Sequence, residues 1–122
     1  IIGADSIIRG ARYGAVLATW TGVTLDNAAA GMAYSPSVAI DGDGGATVVW
    51  YQAQENATVN SVWVNRAAAA GDWAGASVLA AHASGAAYAR VAVNDTGRAA
   101  VAWQVQSQST DGGPFIWVNL YQ

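Results

Sequence analysis

Branched apolar residues fall at every second position in several short stretches of this chain. Val38 and Ile40 alternate with Ser37, Ala39 and Asp41, and Val91 and Val93 alternate with Arg90, Ala92 and Asn94. Val62 and Val64 alternate with Trp63 and Asn65, as Ile116 and Val118 do with Trp117 and Asn119. A period of two is the spacing of a β-strand, whose successive side chains point to opposite faces. The alternations recur. Val38, Ala39, Gly44, Ala46, Val48 and Trp50 meet Val91, Ala92, Gly97, Ala99, Val101 and Trp103, each 53 residues on (91 − 38). Ile8–Tyr13, Val62–Arg66 and Ile116–Tyr121 recur at 54 (62 − 8 and 116 − 62), with Gly10 where the later copies have Val64 and Val118.

These matches predict nine strands in four repeating types. Type A covers Ser37–Asp41 and Arg90–Asn94, and type B covers Ala46–Gln52 and Ala99–Val105. Type C is the stretch that occurs three times, and type D is Thr24–Leu25 and Ser77–Leu79. Asp, Asn and Gly between A and B predict a tight hairpin. The order is C-D, A-B-C-D, A-B-C: one repeat-built domain over 1–122, with a partial unit over 1–34, a complete one over 35–88 and a partial one over 89–122. Val38, Ile40, Val48 and Trp50 should share a buried face, and so should Val91, Val93, Val101 and Trp103. The alanine-rich connections Ala67–Ala70 and Ala80–Tyr88 are too short and glycine-broken for stable helices.

Composition narrows the function classes. The 122 residues are 53% hydrophobic, enough for a packed chain. They hold five arginines, no lysine, eight acidic residues and a net charge of −3. The arginines are scattered, which argues against nucleic-acid binding. Charged residues are 11% of the chain, against about 25% in a typical soluble domain. A surface with so little charge repulsion suits packing against other modules or neutral polar ligands. Without cysteine there is no disulfide, thiolate metal site or cysteine nucleophile. No apolar run reaches the roughly 20 residues of a membrane-spanning helix.

The pattern P-x-V-A-x-D-x-x-G-x-A-x-V-x-W at Pro36–Trp50 continues as Trp63-Val64-Asn65-Arg66 and Gly71-Asp72-Trp73. It resembles the β-propeller blade repeats of secreted and surface bacterial proteins, including sialidase-like and lectin-like propellers. The resemblance implies an all-β, propeller-like fold of about two four-stranded antiparallel blades plus an extra strand. A small β-sandwich is the alternative. The resemblance further implies an extracellular, cell-surface or periplasmic setting. The expected function is a non-catalytic binding or scaffold module for adhesion, glycan recognition or protein assembly. The rivals are a structural accessory subunit of a larger complex and a fragment of a propeller enzyme such as a glycosidase. About two and a quarter units fall short of the roughly four blades a propeller needs to close. Other chains, or copies of this one, are therefore expected at open strand edges.

The candidate ligand site is Trp63, Trp73, Trp117, Asn65, Arg66 and Asn119. Indole faces can stack on pyranose rings, while amides and a guanidinium bond the hydroxyls. Asp41 and Asp43 in a glycine-rich loop offer the start of a calcium cage. Asn94 in the second copy moves the carboxylate, which favours a plain turn. His82 lies in a loop with no evident partner and is expected at the surface. No nucleophile–base pair or carboxylate pair recurs, so acid–base catalysis has no named players. No cofactor or metal is expected.

Overall fold

A computed structural model describes residues 6–14, 18–27, 29–69, 71–82, 84–105 and 115–121. Its elements are β1 (Arg9–Gly14), β2 (Thr19–Thr24), β3 (Ala33–Ile40), β4 (Ala46–Ala53) and β5 (Asn60–Ala67). They continue with β6 (Ser77–Ala80), β7 (Ala86–Val93), β8 (Ala99–Val105) and β9 (Phe115–Tyr121). The fold is all-β. Three antiparallel sheets form in chain order: β1-β2, then β3-β4-β5-β6, then β7-β8-β9. None is closed into a barrel.

The central sheet has a neighbour on each face. Trp50 lies opposite Trp63, and Val48 opposite Asn65, so these four share a face. That face packs on Ile8 and Leu25, which flank the two strands of the first sheet and pair through the Leu25 N–H and the Ile8 carbonyl at 2.8 Å. Val49 lies opposite Val64 on the other face. There Val49, Val62 and Val64 pack on Ala89, Val101 and Trp103 of the third sheet. Both sides being covered is why β4 and β5 read as near-continuous buried runs. Tryptophan and valine of neighbouring parity thus serve two separate cores.

The local devices repeat with the sequence. In each hairpin a side-chain oxygen organises the turn. Asp41 Oδ1 accepts from the N–H of Asp43 and Gly45; Asn94 Oδ1 accepts from the N–H of Thr96 and Arg98. Gly44 and Gly97 then sit at φ 90° and 84°, a region costly for a residue with a Cβ. Strands β3 and β7 each carry a bulge, between Tyr34 and Ser37 and between Ala87 and Arg90. Ser35 and Tyr88 lie within those bulges at φ 49° and 55°. Gly10, the apparent irregularity of the first type C strand, has a reason. A Cβ there would come within 2.8 Å of Leu25 Cδ1, so Leu25 occupies the volume that Val64 would fill.

Several boundaries differ from the sequence expectation. The A strands start earlier, at Ala33 and Ala86, because a bulge carries pairing through Tyr34 and Ala87. The first D strand covers Thr19–Thr24 rather than Thr24–Leu25, so Trp20 lies in a strand, opposite Tyr13. The second copy keeps only the bridge of Ala67 to Trp73 at this level. Val38 and Ile40 do share the face of Val48, but they are 61% and 66% exposed. The two strands of the first sheet leave this end of β3 open, whereas Val91 packs against the core between the central and third sheets.

Candidate functional site

The junctions between sheets are held by a repeated polar contact. Arg12 on β1 donates to the carbonyls of Ala68 (2.7 Å), Gly71 (2.9 Å) and Gly44 (3.5 Å). Arg66, 54 positions on, donates to the carbonyl of Gly97 and, from Nε, to Thr47 Oγ1 at 3.0 Å. Gly44 and Gly97 are themselves 53 apart, so each arginine reaches the hairpin turn of the sheet that follows it. The third position of this series is Leu120.

The predicted ligand residues do not converge. Trp63 is interior, and its Nε1 donates to the backbone carbonyl of Gln52 at 2.9 Å. Asn65 is also interior. It donates to the Leu25 carbonyl and accepts from the Gly75 N–H, both at 3.1 Å, which fixes the first sheet on the second. Arg66 points to the opposite face, into the junction just described. Trp73 is half-buried, with the Arg12 guanidinium 5.9 Å from its ring centroid. Trp117 and Asn119 lie on β9 of the third sheet and are exposed. Burial takes Trp63 and Asn65 out of reach of any ligand, because both faces of the central sheet are covered.

His82 was expected at the surface and is half-buried instead. Its Nε2 accepts from Trp103 Nε1 at 3.0 Å, and its ring lies 5.0 Å from that of Trp117. The buried indole needs an acceptor. In the central sheet the Gln52 Oε1 serves Trp50 in the same way, at 2.9 Å. Asp41 Oδ1 is engaged by backbone N–H groups, as Asn94 Oδ1 is in the neutral copy. Among the described residues no cluster of three or more His, Cys, Asp or Glu could hold a metal ion, and no helix is long and apolar enough to cross a membrane.

The exposed surface the sequence pattern did not single out is the far face of the third sheet. Ile116, Val118 and Leu120 lie on it, opposite Gln104, Ala102 and Ala100. They are 72%, 63% and 75% exposed. Their equivalents one unit earlier, Val62 and Val64, are 0% and 2% exposed beneath the third sheet. A second opening, of about 650 Å³, runs between the first and central sheets beside Val38 and Ile40.

Comparison with known proteins adds no relative. No family model, curated protein or solved structure matches the chain.

Proposed function

We propose that the chain is a non-catalytic binding and scaffold module of an exported protein, built of consecutive propeller-like blades. It works by packing its end faces against further units of the same repeat. The observation that carries this reading is the far face of the third sheet. The matching face of the central sheet is covered by a unit of the same repeat, so the same kind of unit fits here. Fully burying a large aliphatic side chain contributes about 1.5–3 kcal/mol. Three of them on one face supply several kcal/mol toward docking. Leu120 supports an apolar junction, since it stands where Arg12 and Arg66 make polar ones. The low charge density supports packing against further units, and the blade-like sequence pattern supports an exported setting.

A second copy of the chain serves as the test occupant. Sedimentation velocity over a rising concentration series should show reversible association. The variant Ile116→Thr/Val118→Thr/Leu120→Arg keeps strand-forming side chains and restores the arginine of the other units. It should remain monomeric with an unchanged circular dichroism spectrum. A wild-type chain that stays monomeric throughout, or a variant that associates equally well, overturns the reading.

A further inference from the structure

Three tyrosines far apart in the sequence meet where the central and third sheets join. Tyr34 on β3 lies opposite Tyr51 on β4, and their rings stack at 5.4 Å with 25° between planes. Tyr88, from the bulge of β7, makes a T-shaped contact with Tyr51, with 6.0 Å between ring centroids, and is 55% exposed. The bulge is common to both A strands, but its outlying residue is Ser35 in one and Tyr88 in the other. A non-glycine residue stays at such a φ only where the surrounding structure over-determines it. Here that conformation places an aromatic ring at the mouth of a cleft.

The cleft has a volume of about 480 Å³, within the roughly 300–1,000 Å³ of small-molecule sites. Besides the tyrosines, Thr58, Asn60 and Ser84 supply its polar side chains. Among the described residues no charged side chain lines it. A neutral lining disfavours a charged ligand, which would lose hydration without gaining a partner. Aromatic faces beside hydroxyl and amide groups match a ligand with both C–H faces and hydroxyls. We infer that this cleft binds a neutral carbohydrate, one ring resting on Tyr88 and its hydroxyls meeting Asn60, Ser84 and the Tyr51 phenol. The site lies within one chain and does not depend on the end faces.

Titration of the ¹⁵N-labelled chain with cellobiose, maltose and lactose, followed by amide NMR shifts, tests it. At least one sugar should give saturable shifts at Asn60, Ser84, Gly85 and Tyr88, while glucuronate gives none. Tyr88→Gly removes the ring and suits the backbone angle, and should weaken binding about tenfold or more, equivalent to roughly 1.4 kcal/mol. Tyr51→Phe keeps the stack and should weaken binding by a smaller factor. Absence of saturable shifts with all three sugars, shifts that map elsewhere, or binding indifferent to Tyr88→Gly would each overturn the inference. Sugar binding that survives in the end-face variant separates this site from the association surface.

Discussion

Asp41 and Asn94 do the same work with different charge. Each offers Oδ1 to the backbone N–H groups two and four residues on. The physical requirement is an acceptor on a short side chain, not a carboxylate. Asp41→Asn is therefore expected to change stability by less than about 0.5 kcal/mol, and Asp41→Ala to cost about 1 kcal/mol. Urea unfolding midpoints measure both. An Asp41→Asn loss as large as that of Asp41→Ala would mean the charge itself matters. This turn was legible in the sequence because the second copy preserves its geometry while changing the residue. Gln52 was not legible. It is wholly buried, with Nε2 donating to the carbonyls of Asn27 (3.0 Å) and Gly31 (2.6 Å). Its counterpart 53 residues on is Val105, so a comparison of copies sees only a polar residue at one end of a strand.

At the scale of elements, the repeat specified strands and their order, while contacts between sheets specified their ends. The bulges lengthen β3 and β7 beyond the alternating stretch, since an extra residue breaks the period-two pattern without ending the pairing. Trp20 precedes the strand expected at Thr24–Leu25 but lies within β2, paired across from Tyr13. Arg66 looks like a ligand residue because it stands beside Asn65 and Trp63. Alternation instead sends it to the other face, where it joins the central sheet to the turn at Gly97. Arg66→Met should destabilise the chain by about 1.5–3 kcal/mol, the range for hydrogen bonds involving a charged group. Arg12→Met should cost less, since its contacts are exposed. Equal midpoints for Arg66→Met and wild type in urea would refute the role of the arginine as a tie between sheets.

At the scale of the molecule, protection should follow coverage. Strands β4 and β5 are paired on both edges and covered on both faces. Their amides should exchange with solvent most slowly, and those of β1, β2 and β9 fastest, because open edges and bare faces open at lower free energy. Hydrogen exchange read by NMR at a concentration where the chain is monomeric checks this order; β9 protection equal to that of β4 under that condition would contradict it. The sequence by itself determined nine antiparallel strands, their order and the hairpin chemistry. These depend on local alternation and turn residues, which two copies of one unit display twice. The buried faces of Trp50 and Trp103 were legible in the alternation, but tertiary structure alone decided that Trp63 is interior while Trp117 is exposed, and which face stays bare. It also brought Tyr34, Tyr51 and Tyr88 to one cleft. Those outcomes depend on how sheets stack across residues distant in the chain, and a period of two fixes which face a side chain takes but not what lies opposite that face.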